Sequence, residues 1–160
     1  IEKMKTISRT EIYRASPEMV FKTIDDLGVT GMHMTKSSMI MMGSKLHLKF
    51  LTEHHTGLGS RYRWTGTMMG LKMDFTVEVT KWIEGREKVW ETIGDPKLII
   101  YSWYRMELHI QNAASGTKAE LSIAYEKPKG FFNRIISFLL ADLYCGWCLR
   151  KTLVDAEKNL

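Results

Sequence analysis

Residues 130–160 read GFFNRIISFLLADLYCGWCLRKTLVDAEKNL. After Pro128 and Gly130 no further proline interrupts the chain, and Ile135, Phe138, Leu139, Leu143, Gly146, Leu149 and Leu153 recur at helical spacing. About 28 residues of helix would extend roughly 42 Å at 1.5 Å per residue. A helix of that length needs a long surface to lie on, and the preceding sequence supplies one. Between Lys45 and Lys127 the pattern is rich in β-strand signals. KMDFTVEVTKW (72–82) is the clearest, with Met73, Phe75, Val77 and Val79 alternating against Lys72, Asp74, Thr76, Glu78 and Thr80. KLHLKFLT (45–52) and SRYRWTGTMM (60–69) alternate in the same way. KVWETIG (88–94), KLIIYSWYRMELHIQ (97–111) and KAELSIAYEK (118–127) follow. TGLGS, EGRE, GDPK and AASG read as the turns between them. With KTISRTEIYRA (5–15) as a first strand, seven strands are expected. One apolar and one polar face per strand suits an antiparallel sheet covered on one side.

Between the first two strands lies ASPEMVFKTIDDLG (15–28). Ser16 suits an N-cap, Pro17 the first helical position and Glu18 the positive end of the helix dipole. Val20, Phe21, Ile24 and Leu27 share a face, and Gly28 reads as the stop. Residues 29–44 carry five methionines, Met32, Met34, Met39, Met41 and Met42, and read as a short helix or a pliable apolar loop. The expected fold class is α+β. A seven-stranded antiparallel sheet wraps around a long C-terminal helix, with two short helices, or a helix and a loop, after the first strand.

Bulk properties fit one domain over residues 1–160. Hydrophobic residues are 44% of the chain and charged residues 26%, enough for a sizeable core and too apolar for disorder. No N-terminal apolar stretch of signal-peptide length is present, and IISFLLA (135–141) is too short to span a bilayer. The expectation is a cytoplasmic protein. The net charge is +5, from 23 Lys and Arg against 18 Asp and Glu. That mild excess reads first as solubilising charge. Its second reading is a basic outer strand face (Arg61, Arg63, Lys72) for an acidic protein, a membrane surface or RNA. Specific DNA binding is not expected.

The element order resembles the helix-grip fold of the START-like, Bet v 1-like (SRPBCC) superfamily. More narrowly, it looks like the polyketide cyclase/dehydrase and lipid-transport branch. The resemblance is carried by IYRASPEMVFKTIDDL (12–27), by GLGSRYRWTG (57–66) and by VTKWIEG (79–85). The methionine-rich segment departs from the Trp-containing stretch that many members have there. The resemblance implies a cavity between the concave face of the sheet and the long helix. It implies a hydrophobic small-molecule ligand there: a lipid, a quinone or a polyketide-like compound. Members of the superfamily include carriers as well as enzymes, and no cofactor is called for.

The candidate ligand-binding residues are the inward positions Tyr62, Trp64, Met68, Met73, Phe75, Trp90, Tyr104 and Met106, with Leu139, Asp142 and Leu143 from the helix. Strand parity is ambiguous at Trp90 and Glu91; one of the two faces in. Asp142 falls on the apolar helix face. A carboxylate there must be paired, solvated or neutral, so it is read as an edge salt bridge, a polar anchor or an acid–base group. Asp142 and Glu91, with a Tyr or Arg105 as partner, are the acid candidates for an alternative enzyme reading, a cyclase or dehydratase.

Cys145 and Cys148 form the only C-x-x-C. A redox thiolate sits at a helix N-terminus, where the dipole lowers its pKa, and this pair lies about four turns inside the helix. A structural role is expected for both, on the flanks of a stripe through Asp142, Leu143 and Gly146. One C-x-x-C supplies two of the four ligands zinc needs, so no metal site is expected. The five histidines lack H-x-x-x-H spacing, and no G-x-S-x-G elbow supports a nucleophilic hydrolase.

Overall fold

The computed structural model describes residues 4–26, 46–68, 71–98, 102–126 and 131–160. The expected helix or loop over 29–44 lies outside them. Strand β1 (Lys5–Tyr13) leads into helix α1 (Pro17–Asp25). Strands β2 (Leu46–Phe50), β3 (Arg61–Met68), β4 (Leu71–Ile83), β5 (Glu87–Lys97), β6 (Trp103–Ala113) and β7 (Gly116–Glu126) follow, and helix α2 (Phe131–Lys158) ends the chain. The expected seven strands and long C-terminal helix are all present. No helix among the described residues is long and apolar enough to cross a membrane.

Local chemistry sets the ends of α1. Ser16 is extended (φ −69°, ψ 154°), and its Oγ accepts the Met19 N–H at 3.3 Å. Pro17 opens the helix with its φ already near the helical value. Val20, Phe21 and Ile24 are buried along one side.

All strand pairs are antiparallel, in the order β1-β7-β6-β5-β4-β3-β2. Opposite residues of an antiparallel pair project to the same face, so the register sorts every strand. Trp64 faces Phe75, Trp90 faces Met106, and Leu108 faces Leu121, all on the inner side. The β4–β5 ladder is irregular at two places, between Asp74 and Thr76 and between Val79 and Lys81. The second shift reverses parity, so Val79 and Trp82 both lie on the inner side. The first absorbs Gly94 at φ +72°. It carries β5 through the GDPK stretch, which the sequence marks as a turn. Pairing of β5 with β6 ends at Glu91–Arg105, so Pro96 stands on a side that asks no ladder hydrogen bond of it. The next strand accordingly starts at Trp103 rather than at 97.

Helix α2 approaches β1, β7 and α1. The Tyr13 hydroxyl donates to the Leu153 carbonyl at 2.8 Å, tying the end of β1 to the helix. The Thr117 hydroxyl donates to the Ala15 carbonyl at 2.6 Å. Gly116 (φ +147°) is required at this seam, since a Cβ there would lie 2.0 Å from the Tyr13 carbonyl oxygen. The described part of α2 buries Cys145, Leu149, Thr152, Leu153 and Ala156. The expected stripe is borne out at Leu149 and Leu153 and corrected at two positions. Leu143 is 59% exposed, and Cys145, expected on a flank, is fully buried. At 100° per residue Cys145 and Leu149 lie 40° apart, whereas Leu143 lies 160° from Cys145.

Candidate functional site

The inner side of β3–β6 is a wall of large side chains. Tyr62, Trp64, Met73, Phe75, Tyr104 and Met106, all expected there, are buried in one cluster, and Trp90 packs against it half-buried. Tyr62 meets Trp64 edge-on, with ring centroids 6.4 Å apart, and Phe75 meets Tyr104 at 5.9 Å. Where the β5–β6 ladder stops, the buried Thr92 takes over. Its Oγ accepts the Tyr104 N–H at 3.3 Å and so holds Tyr104 in line with the wall. Met68 belongs to β3, and Leu139 and Asp142 to α2; their side chains lie outside the described residues.

The parity question at Trp90 and Glu91 is resolved in favour of Trp90. Glu91 pairs with Glu78 on one side and Arg105 on the other, both on the outer face. Arg105 is there too, 3.7 Å from Glu107 and stacked near Trp103. Glu91 and Arg105 are therefore corrected as interior acid–base candidates: the irregular β4–β5 ladder sets their parity. On the same outer face Arg63 makes a bidentate contact with Asp74, and Arg61 reaches Glu78 at 3.3 Å. The expected basic face carries its own counter-ions.

One polar feature of the interior escaped the sequence reading. If Trp90 faces in, Lys88 two residues earlier does so as well. Its Nζ lies 2.7 Å from Asp25 Oδ1, and the two side chains are only 5% and 7% exposed. Trp82, turned inward by the ladder shift, donates its indole N–H to Asp25 Oδ2 at 3.2 Å. The ammonium also lies 4.8 Å from the centroid of Trp90. Phe21 packs edge-on against Trp82 at 5.7 Å, so α1 is held to the sheet beside this pair. Despite the short distance, Asp25 Oδ1 accepts no well-directed hydrogen bond from the described residues.

Electrostatics separates these groups from those on the outer face. Burial pushes the Lys88 ammonium below its ordinary pKa, and Asp25 pulls against that shift. Burial raises Tyr62 well above the ordinary phenol value, with Tyr104 and Asp25 adding to it. Tyr104 is raised for the same reason, with Cys148, which packs half-buried against the same cluster, contributing. Cys145 and Cys148 are not joined in a disulfide. Among the described residues, nothing lies within 4 Å of a Cβ placed at Gly146.

Solved structures share this arrangement of sheet and helix over nearly the full chain. An aromatase/cyclase from a Streptomyces species superposes with a TM-score of 0.67 at 13% identity, covering 98% of this chain and 95% of the other. Norcoclaurine synthase from Thalictrum flavum, in complex with dopamine and hydroxybenzaldehyde, gives 0.66 at 12% identity over 98% and 86%. A major latex-like protein from Panax ginseng gives 0.59 at 15% identity over 98% and 97%. The chain has the helix-grip fold that these proteins share. No family model matches the sequence, and no curated protein sequence matches it. The helix-grip assignment thus rests on architecture, and the chemistry has to be read from this chain's own side chains.

Proposed function

We propose that the protein binds a hydrophobic small molecule between the inner face of the sheet and α2. The observation that carries this reading is the placement of the bulk. Tyr62, Trp64, Met73, Phe75, Tyr104 and Met106 of β3–β6 project inward, while α2 approaches the same face near the other edge of the sheet, at β1 and β7. Such a wall offers apolar area and a few convergent polar groups, the composition of a small-molecule site. A solved protein of the same fold is in complex with two small aromatic compounds, which supports the choice of ligand class. Two experiments test it. The purified protein should carry a co-purifying small molecule in native mass spectrometry, and it should enhance the fluorescence of N-phenyl-1-naphthylamine. Failure of both would sink the reading.

A second reading, a cyclase or dehydratase acting on a polyketide-like substrate, is favoured by one observation. Lys88 is a buried amine held 2.7 Å from a carboxylate, and burial pushes its pKa below the ordinary lysine value, the direction a proton-transfer group needs. On this reading Lys88→Met abolishes turnover of an aromatic polyketide-like substrate while probe binding persists. Turnover by the variant at the wild-type rate would remove it.

A further inference from the structure

The interior ion pair is incompletely used. An ammonium has three donors, and the described residues give Lys88 one close oxygen, Asp25 Oδ1. That oxygen is buried and yet accepts no well-directed hydrogen bond. Asp25 Oδ2, by contrast, is occupied by the Trp82 indole. A buried carboxylate oxygen held only by a poorly directed ion pair keeps a lone pair that a water or a ligand group can take. The chemistry of that group follows from what the site offers. Lys88 supplies N–H donors, and Asp25 Oδ1 supplies an acceptor. The pair is neutral as a whole, so an anion would leave a net buried charge. A pure acceptor such as an ether leaves that lone pair unused, and a hydrocarbon engages neither group. A neutral hydroxyl does both: it donates to Oδ1 and accepts from Nζ. The flat face of Trp90 beside the ammonium suits a hydroxyl carried on an aromatic or conjugated ring.

We propose that the Lys88–Asp25 pair is the polar end of the binding space, and that it selects ligands bearing a neutral hydroxyl, a phenol or enol, on an apolar ring body. This rests on the ligand-binding reading above and specifies its substrate class. The burial that disfavours the charged form of Lys88 makes the pair more receptive to a neutral partner.

The test uses two probes that differ by one hydrogen-bond donor, 2-naphthol and 2-methoxynaphthalene, measured by equilibrium dialysis at pH 7 against the full chain. Wild type should bind 2-naphthol about tenfold more tightly, the size expected for one well-made hydrogen bond to charged groups. In the double variant Asp25→Leu with Lys88→Met, which removes both charges at similar volume, the ratio should fall to about twofold or less. If that variant does not fold, Asp25→Asn takes its place, since it keeps the shape and Trp82's acceptor; a drop to about threefold is expected. Equal wild-type affinity for the two probes overturns the hydroxyl class and means that water satisfies the pair. A preference that survives in the variant overturns the assignment to Lys88 and Asp25. In both of those cases ligand binding itself stands. If wild type binds neither probe, the ligand-binding reading and this one fall together.

Discussion

Two carboxylate–cation pairs sit on opposite faces of the same sheet. On the outer face Arg63 grips Asp74 in a bidentate contact between neighbouring strands, with both side chains well exposed. On the inner face Lys88 lies 2.7 Å from Asp25, linking β5 to the end of α1, and both side chains are buried. The outer pair has the better hydrogen-bond geometry. The inner pair has the larger consequences. Water screens the outer charges whether or not they touch, so their contact adds little. The inner charges have lost their hydration, and each depends on the other. Good geometry therefore does not identify the interaction that matters; desolvation does.

Breaking the inner pair one-sidedly should produce the largest effect. Lys88→Met leaves a buried carboxylate, and urea denaturation at pH 7 should show a loss of about 3–5 kcal/mol. Adding Asp25→Asn should restore most of that loss, because Asn keeps the Trp82 hydrogen bond and removes the orphan charge. A single variant as stable as wild type would erase the contrast between the two faces.

Alkaline titration sharpens it next. Tyr13, Tyr62 and Tyr104 all have raised pKa values, chiefly through burial. An acid whose pKa is raised in the folded state stabilises the fold below its unfolded value, near 10, and loses that contribution as pH climbs toward the folded value. Stability should fall steadily above about pH 10, where unfolded tyrosine begins to ionise. The phenolate absorbance of these three residues should appear only together with loss of the far-ultraviolet circular dichroism. Full ionisation of every tyrosine near pH 10 in an intact fold would show that the interior is wet.

A neutral buried contact should fall between the two ion pairs. Tyr13→Phe removes the hydroxyl that donates to Leu153, and a loss of about 1 kcal/mol is expected in the same denaturation assay. The smallest effect should come from the outer face. Arg63→Ala should shift the urea midpoint barely beyond error, and 1 M salt should remove even that. Arg63 hydrogen-bonds Asp74 and lowers its pKa, so this contribution is present above the ordinary carboxylate range and is lost as pH falls through the folded value. A large midpoint shift at pH 7 would place the outer pair in the same class as the inner one.

The same contrast separates what could be read in the sequence from what could not. Strand number, helix length and the N-cap at Ser16 were legible because each follows from periodicity or from a local side-chain-to-backbone bond. The aromatic wall was legible for the same reason: Tyr62, Trp64 and Phe75 keep strict alternation. Lys88 and Asp25 were not. A lysine on a strand and an aspartate at a helix end both read as solvent-facing, and only tertiary contact shows otherwise. The ladder shift after Val79 hid Trp82 by reversing the parity that the pattern of β4 implies. One signal was available. Choosing Trp90 as the inward residue commits Lys88 to the same face, and a lysine committed inward requires a carboxylate nearby. On α2 the expected stripe holds at Leu149 and Leu153 and fails at Leu143 and Cys145, because leucines occur on more than one side of the helix. Choosing among them took the contacts with β1 and β7, which buried Cys145 and left Leu143 in water.

The seam where β1 meets β7 carries a consequence for synthesis. Lys5, Arg9 and Glu11 lie opposite Tyr125, Leu121 and Ala119, so they share the inner parity of β1, yet at this edge of the sheet all three are exposed. Their partner strand is made about a hundred residues later. At about 5–20 residues per second the ribosome needs on the order of 5–20 s to deliver it. Through that interval β1 is a bare strand that neighbouring nascent chains can pair with. Charges at alternate positions discourage such pairing. A more apolar β1 would pack the finished seam more tightly and leave the unfinished chain more prone to stick to its neighbours.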